Sequence, residues 1–397
     1  MMLLLTAIDF SSGASLPDVI LAGEQSFAGQ LAALDDNTLR FTAADSASRE
    51  VSAGTFVRWA NPRDPVRRSR ILLTDGSELV ADLSWTTDGS VQLADDQMQI
   101  RTSLLGRVTL PRTALRGVLF DAARDPVVAD RVLRGMRAAG PSEQDQLWLV
   151  NGDRLAGEIG KIDGAEATLK LADESIDVPL TNLSAVSFHQ PNSAPAVPAR
   201  WALGLQDGTL LRAASARGDD KRLHAKLASG IEINGKSLSD IVFLQNLTSD
   251  GFTYVSDMEP IDYKHTPYFN LAWPLAVDEN LLGQPLRVDG KRYRKGVAMH
   301  TASRAVYRLS GNERTFESTI ALDDTAGNEG SVIFRVYAVR NGKPELALES
   351  EIVRGGDAPQ PISVNITGAQ GLVLLVDYAD YGDQQDHANW LDARLVR

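Results

Sequence analysis

Apolar and polar positions alternate along much of the chain, and the two-residue period is clearest at Val332, Phe334, Val336 and Ala338. This period puts successive side chains on opposite faces of a β-strand. From about Thr253 onward the alternating runs have no helical stretch between them, which indicates a β-sandwich of jelly-roll type. The strands predicted there are 304–309, 314–321, 331–339, 346–352, 360–366, 371–378 and 393–396.

Before Thr253, a short sequence motif recurs along the chain. Asp75-Gly76, Asn151-Gly152 and Asp207-Gly208 each follow an apolar run, and each is followed three residues later by a leucine. Asn-Gly and Asp-Gly favour the turn that joins two antiparallel strands. We expect a β-hairpin at each of the three sites, and Gly23-Glu24 fits the same frame.

A second sequence motif follows each of these turns at the end of a repeated unit. It occurs at 115–120, 183–188 and 238–243, with a weaker version at 56–59. The two motifs predict four small β units at 17–62, 63–124, 142–190 and 199–250. The second unit carries an insertion around 97–106. Closed small barrels and stacked meanders both remain open for these units. The turn motif resembles that of Sm-like and SH3-like barrels, although any short antiparallel unit needs a turn and a glycine bend.

One helix is predicted at 125–141, with Asp125-Pro126 as its start and Gly140-Pro141 as its end. Val128, Val132, Leu133 and Met136 fall on one face of this helix, which is typical of a packing face. The proline-rich segment 191–198 is predicted to be a linker.

The composition limits the kinds of partner and binding site that the protein can have. The chain has 397 residues, a formal net charge of -12 and no cysteine. Nucleic-acid binding takes clustered Lys and Arg, so we expect no nucleic-acid partner, and disulfides and thiolate metal sites are excluded. No apolar run approaches the roughly 20 residues of a membrane helix. Residues 1–16 are interpreted either as a truncated secretory signal or as a first strand, and we expect a secreted or cell-envelope protein, such as one on a bacterial cell surface.

Several short segments of the C-terminal region match, in order and spacing, the motifs of a known family. They are 283–286, 293–297 with His300 and Ser303, 323–324 with Gly327, 330–334, Gly368 with 372–374, and 386–392. On these segments, residues 251–397 resemble the NPCBM/NEW2 domain, which is a carbohydrate-binding module found beside glycoside hydrolase family 98 and related to carbohydrate-binding module family 51. The resemblance implies a galactose-binding-like sandwich and a lectin-like role. The last family motif usually has Asp at the position of Asn389 and Ala at the position of Leu391.

Sugar recognition needs an aromatic face and planar hydrogen-bonding groups. His300, Asp386, His387, Asn389 and Trp390 supply such a set near the two ends of the strand run. Trp390 and His300 each have a structural alternative, because tryptophan is usually highly buried and His300 has backbone neighbours that would satisfy it. The predicted sugar site therefore competes with a buried tryptophan and a structural histidine.

Aspartates recur every third residue at Asp377, Asp380, Asp383 and Asp386. Converging carboxylates suit Ca²⁺, which takes six to eight oxygens, and a solvated acidic loop is the alternative. A second acidic loop contains Asp323, Asp324 and Glu329.

The sequence contains no zinc-protease, nucleophile-elbow, P-loop or dinucleotide motif. The leading hypothesis is therefore a non-catalytic protein whose C-terminal module binds a galactose-like glycan and whose N-terminal units act as a spacer or as a surface for a protein partner. One alternative is a protein-binding scaffold without sugar affinity. Another is a divergent glycoside hydrolase, whose paired carboxylates would be distant in sequence.

Overall fold

The computed structural model describes residues 16–65, 69–81, 91–94, 96–120, 132–136, 144–163, 165–189, 197–235, 237–268, 270–380 and 382–397. Within these ranges the chain is built from β-strands, with one helix at 132–136 and five short 3-10 turns. The predicted all-β fold class is confirmed. Several predicted features lie outside the described residues. They are residues 1–15 of the proposed signal segment, the helix start at Asp125-Pro126 and its end at Gly140-Pro141, and all but the last two residues of the proline-rich segment.

The N-terminal part, up to Asn246, contains twenty-one strands among its described residues. They are β1 (Asp18–Leu21), β2 (Phe27–Leu34), β3 (Thr38–Ala43), β4 (Ser48–Ser52), β5 (Phe56–Trp59), β6 (Ser69–Leu73), β7 (Glu78–Ala81), β8 (Val91–Ala94), β9 (Gln97–Thr102), β10 (Gly106–Pro111), β11 (Leu115–Leu119), β12 (Asp145–Leu149), β13 (Arg154–Ile162), β14 (Glu166–Lys170), β15 (Ser175–Pro179), β16 (Leu183–Ser187), β17 (Trp201–Leu205), β18 (Leu210–Gly218), β19 (Leu223–Leu227), β20 (Glu232–Gly235) and β21 (Ile241–Asn246).

These strands pair in four groups that share one topology. Antiparallel pairing joins β1-β2-β3-β4, β6-β7, β8-β9-β10, β12-β13-β14-β15 and β17-β18-β19-β20 in chain order. The last strand of each group returns to pair with the first: β5 with β1, β11 with β6, β16 with β12 and β21 with β17. A 3-10 turn precedes the last strand in the later three groups, at Arg112–Ala114, Leu180–Asn182 and Leu238–Asp240. A meander whose last strand closes back on its first can enclose a small core of its own.

The three predicted hairpin turns are confirmed. Gly76, Gly152 and Gly208 have φ of 83°, 95° and 85°, a left-handed conformation that glycine adopts without steric cost. They join β6 to β7, β12 to β13 and β17 to β18 in antiparallel register. The residue before each glycine caps its turn, because its side-chain oxygen accepts from the backbone N–H two positions later.

The four groups are joined through their last strands. β5 pairs with β21, and β11 pairs with β16. These pairings link the first group to the fourth and the second to the third, and all twenty-one strands form one hydrogen-bonded network with a common apolar core. Three residues of the predicted packing face of the helix, Val132, Leu133 and Met136, lie in a buried cluster with Trp148. The fourth, Val128, lies outside the described residues.

The C-terminal domain contains fourteen further strands. They are β22 (Phe252–Tyr254), β23 (Asp262–His265), β24 (Ala276–Val277), β25 (Arg287–Val288), β26 (Lys291–Arg292), β27 (Gly296–Met299), β28 (Ser303–Arg308), β29 (Thr315–Leu322), β30 (Ser331–Arg340), β31 (Lys343–Glu349), β32 (Val353–Arg354), β33 (Gln360–Asn365), β34 (Gly371–Tyr378) and β35 (Ala388–Val396). Two 3-10 turns lie between them, at Val255–Asp257 and Asp324–Ala326.

Most of these strands form two sheets that face each other. One has the order β24-β27-β35-β29-β33, with β22 beside β35, and the other has the order β23-β28-β34-β30-β31, with β32 beside β30. Phe334 of one sheet meets the Trp390 ring of the other edge to face at 4.9 Å, inside a continuous apolar core. The predicted β-sandwich is confirmed.

The two parts of the chain are joined through a buried polar contact. Arg58 Nε of β5 donates to Asp392 Oδ2 of β35 at 2.6 Å, and Gln245 Nε2 of β21 donates to Asp392 Oδ1 at 3.2 Å. Around this contact lies an apolar cluster that includes Val57, Phe252 and Val396. Among the described residues, no helix has the length and apolar character needed to cross a membrane.

Candidate functional site

The strand register of the C-terminal domain brings three chain segments to one edge of a sheet. Met299 of β27 lies opposite Ala388 of β35, and Ala388 lies opposite Leu322 of β29. Residues 300, 387 and 323–325 directly follow or precede these paired positions, so they leave the sheet side by side. A pocket of about 500 Å³ opens there, lined by Leu271, Trp273, Leu282, His300, Thr325, Asp383, Gln385 and His387.

An indole forms part of the pocket wall. The Trp273 ring lies parallel to the His300 imidazole, with 5.1 Å between the ring centroids and 6° between the planes. His387 meets the same indole at 5.8 Å in a tilted arrangement. Trp273 stays partly exposed, and Leu271 and Leu282 beside it are exposed. The pocket therefore combines an aromatic surface with aliphatic side chains open to solvent.

Trp273 is held by its backbone. Its N–H donates to His265 Nδ1 at 3.0 Å, and its carbonyl accepts from the Tyr263 hydroxyl at 3.0 Å. His265 and Tyr263 both belong to β23, which pairs with β28. The indole is thus fixed to a strand even though it lies in a loop, which preorganises the wall of the pocket.

The two histidines of the pocket are buried and anchored. His300 Nδ1 lies 2.9 Å from the Thr301 carbonyl oxygen, and His387 Nδ1 lies 2.9 Å from Thr325 Oγ1. Burial lowers the pKa of His300, and nearby His265 lowers this pKa further. Burial likewise lowers the pKa of His387, with a contribution from His300. Both imidazoles are therefore neutral at neutral pH.

Asp386 lies behind the pocket rather than in it. Its carboxylate is fully buried and accepts from the Thr301 hydroxyl at 2.7 Å and from the Ser331 backbone N–H at 2.9 Å. Burial raises the pKa of Asp386 to about 6, against the lowering effect of these two hydrogen bonds. Asp386 positions the segment that carries His300, and its assignment as a direct sugar contact is corrected.

We also correct the assignment of Trp390 and Asn389 as direct sugar contacts. Trp390 is 0% exposed and packs against Phe316 and Phe334 inside the sandwich, so the structural alternative holds for this residue. Asn389 is buried and donates to Asp323 Oδ2 at 2.9 Å. Both lie within β35, which is buried along its whole length, and this leaves neither side chain a surface to offer a ligand.

The two departures from the family motif, Asn389 and Leu391, lie in the same buried region. An aspartate in place of Asn389 would set a second carboxylate against Asp323, whereas the amide supplies a donor. Leu391 is buried in an apolar cluster with Leu286 and Tyr293. Both substitutions therefore change the packing and hydrogen bonding behind the pocket, and neither residue is among the pocket-lining residues.

The four aspartates of the predicted calcium site are not brought together. Asp377 pairs with Arg335, Asp380 pairs with Arg354, and Asp386 is buried at Thr301, whereas Asp383 lines the pocket. No group of three or more His, Asp or Glu residues within the described ranges is arranged to hold a metal ion. Calcium binding stays a prediction, and no preformed site supports it.

The second acidic loop has a structural role. Asp323 is buried and accepts hydrogen bonds from the side chains of Asn280, Thr325 and Asn389 and from the backbone of Arg287. Asp324 accepts from the backbone N–H groups of two residues in the β25–β26 turn. These contacts fix the segment from which Thr325 reaches His387.

Residues 251–396 match the profile of the NPCBM/NEW2 domain. This match covers the C-terminal domain and does not extend to the N-terminal strand groups. The match begins at the boundary where the sandwich begins and includes all the residues that line the pocket.

Relatives and solved structures share this NPCBM/NEW2 region. A putative endo-alpha-N-acetylgalactosaminidase of Renibacterium salmoninarum is 27% identical over 146 residues, which cover 36% of this chain and 9% of that protein. The chain thus matches less than a tenth of the length of that relative.

Two solved structures from Clostridium perfringens are also similar. The structure of CBM51 from GH95 in complex with methyl-galactose is 24% identical, covers 36% of this chain and 99% of that chain, and has a TM-score of 0.32. The structure of the CBM51-2 and INT domains of ZmpB is 21% identical, covers 46% of this chain and 37% of that chain, and has a TM-score of 0.33.

Proposed function

We propose that this protein is a non-catalytic glycan-binding protein whose NPCBM/NEW2 domain binds a galactose-like sugar in the pocket at Trp273, His300 and His387. The observation that carries this proposal is the partly exposed indole of Trp273, held parallel to His300 beside a second anchored imidazole. An aromatic surface packs against the apolar face of a pyranose, and fixed planar groups bind its hydroxyls.

Two further observations support a sugar of this class. The family was noticed beside glycoside hydrolases as a carbohydrate-binding module, and the relative from Renibacterium salmoninarum is named for action on N-acetylgalactosamine. The pocket of about 500 Å³ is large enough for a sugar residue. Since glycans of this kind lie outside the cytoplasm, the proposal includes a secreted or cell-envelope location, with the N-terminal strand groups as a spacer or a surface for a protein partner.

The lining of the pocket also bears on catalysis. Glycoside hydrolysis uses two carboxyl groups on either side of the scissile bond. Asp383 is the one carboxylate among the described residues that line the pocket, and buried Asp386 is held by Thr301 and Ser331. A lining with one carboxylate rather than two supports the non-catalytic part of this proposal.

A glycan array probed with the full chain tests this proposal. We expect binding to glycans with terminal galactose or N-acetylgalactosamine, with weak affinity because a few hydrogen bonds compete with water. An array without any bound glycan would favour the protein-scaffold alternative. Release of a reducing sugar from any bound glycan would instead show that the protein is a hydrolase.

A further inference from the structure

Hydrogen bonds determine which nitrogen of each pocket imidazole carries the proton. The Thr301 carbonyl oxygen accepts only, so His300 Nδ1, which lies 2.9 Å from it, carries a hydrogen. The Thr325 hydroxyl gives its one proton to Asp323 Oδ1 at 2.7 Å, so it accepts from His387 Nδ1 at 2.9 Å. Both imidazoles therefore have their hydrogen on Nδ1.

A neutral imidazole with its hydrogen on Nδ1 has an unprotonated Nε2 that accepts a hydrogen bond. No described residue makes a hydrogen bond to Nε2 of His300 or His387, and both side chains line the pocket. Burial lowers the pKa of each imidazole, so both nitrogens remain acceptors at neutral pH. The carboxylate of Asp383 adds a third acceptor to the lining.

We propose that the pocket selects neutral glycans by accepting two ligand hydroxyl protons at Nε2 of His300 and Nε2 of His387, and that it rejects acidic sugars. This inference rests on the proposed function and names its ligand class. A uronate, sialate or sulfate group needs hydrogen-bond donors or cations. It would instead meet two acceptor nitrogens and the negative charge of Asp383.

The groups around the imidazoles favour the neutral form overall. His265 faces His300 at 5.7 Å between ring centroids, and His387 faces it at 6.0 Å. Both nitrogens of His265 are already used, because Nδ1 accepts from the Trp273 N–H and Nε2 donates to the Thr301 carbonyl. Burial and the neighbouring imidazoles lower the pKa of both His300 and His387. They outweigh the hydrogen bond to Thr301 and the charge of Asp383, which favour a charged His300, and the charge of Asp323, which favours a charged His387.

A pH dependence of binding follows. Protonation of either Nε2 turns the acceptor into a donor and brings a charge close to the other imidazoles. A bound hydroxyl that donates to Nε2 opposes this protonation, so the affinity should fall as the pH falls below the usual imidazole range near 6.5. Asp386, whose pKa is about 6, lies behind His300 and titrates in the same range, so a histidine variant is needed to assign the effect.

The test uses the full chain on an array of neutral, uronic, sialylated and sulfated glycans, followed by calorimetry of the best neutral glycan at pH 7.5 and pH 5.0. We expect the acidic analogue of that glycan to bind at least about tenfold more weakly. The affinity for the neutral glycan should fall about fivefold or more at pH 5.0. His387→Gln removes one titrating acceptor and should reduce this pH dependence.

His224→Gln is the matched control, because His224 pairs with Asn234 in β19 and β20, away from the pocket. It should retain the full pH dependence. Binding of neutral glycans together with equal or tighter binding of acidic ones, or with no pH dependence, would overturn this inference and leave the proposed function intact. A protein that binds no glycan at either pH would overturn both.

Discussion

At the scale of single residues, the pocket depends on His300 in two ways. The imidazole offers Nε2 to a ligand, and its ring supports the Trp273 indole at 5.1 Å. Only 4% of His300 is exposed, so it is a buried wall residue and not a residue of the pocket rim. A change at this position therefore affects ligand binding and packing together.

His300→Ala is predicted to weaken glycan binding by at least about 1 kcal/mol, the scale of one hydrogen bond. It should also lower the melting temperature, because the lost ring leaves a cavity beneath Trp273. Calorimetry and thermal denaturation of the full chain measure the two effects. Unchanged affinity per folded molecule would show that His300 only packs against Trp273.

Leu271→Ala and Leu346→Ala separate pocket residues from other exposed leucines. Both side chains are more than half exposed, but Leu271 lines the pocket and Leu346 lies on edge strand β31. Loss of a surface leucine changes stability little in either case. We expect only Leu271→Ala to weaken glycan binding, and equal effects of the two variants in the binding assay would contradict the location of the site.

At the scale of elements, the segment before β35 is held by Asp386. Its carboxylate connects this segment to β30 through Ser331 and to the end of β27 through Thr301. Burial raises the pKa of Asp386 from its ordinary value of 3.8 to about 6. The folded state therefore holds this proton more tightly than the unfolded state does.

A pH-dependent stability difference follows for Asp386→Asn. Because the folded pKa is raised, the stabilising contribution of Asp386 is fully present below pH 3.8 and is lost as the pH rises through about 6. The free energy of unfolding of the wild type should therefore increase relative to that of the variant between pH 7.5 and pH 5. Denaturant titrations at both pH values measure this, and a difference that stays constant would contradict the raised pKa.

The elements also show how far the hydrophobic pattern predicts the fold. The bounds of β34, Gly371–Tyr378, agree with the prediction because the continuous apolar run 372–376 marks this strand clearly. The predicted strand 346–352 is observed three residues earlier, at Lys343–Glu349, because this strand lies at a sheet edge and is exposed along most of its length. β35 is predicted only from Ala393, although it begins at Ala388, because a strand buried on both faces shows no alternation.

The pocket was predicted only in part for a related reason. His300 and His387 are recognisable by residue type, but the strand register that brings them within 6.0 Å of each other depends on distant pairings. Trp273 was missed because it lies in a segment without regular strand or helix periodicity. The sequence does offer one signal for Trp273, which lies two residues after Leu271 and directly before a proline.

At the scale of the whole molecule, β35 connects the pocket to the N-terminal strand groups. It starts next to His387 and reaches Asp392, a residue that is 2% exposed and whose carboxylate pairs with Arg58. Removing one partner of a buried ion pair leaves an uncompensated charge and costs about 3–5 kcal/mol. The junction therefore contributes to the stability of both parts.

Arg58→Met is predicted to destabilise the full chain by about 3–5 kcal/mol. Adding Asp392→Asn should recover part of this loss, because asparagine removes the charge and tolerates the positive φ of 47° at this position. Arg49→Met, which breaks an exposed pair with Asp45, is the matched control and should cost less than about 1 kcal/mol. Chemical denaturation measures all three, and equal effects of Arg58→Met and Arg49→Met would contradict a buried junction.

The most direct test of the central claim is calorimetry of the full chain with the best neutral glycan from the array, comparing the wild type with Trp273→Ala and Trp273→Phe. We predict that Trp273→Ala lowers the affinity at least about tenfold, or ~1.4 kcal/mol, because the sugar loses its aromatic surface. Trp273→Phe should retain part of the affinity, because it keeps an aromatic ring. A folded Trp273→Ala protein that binds the glycan as tightly as the wild type would contradict the account.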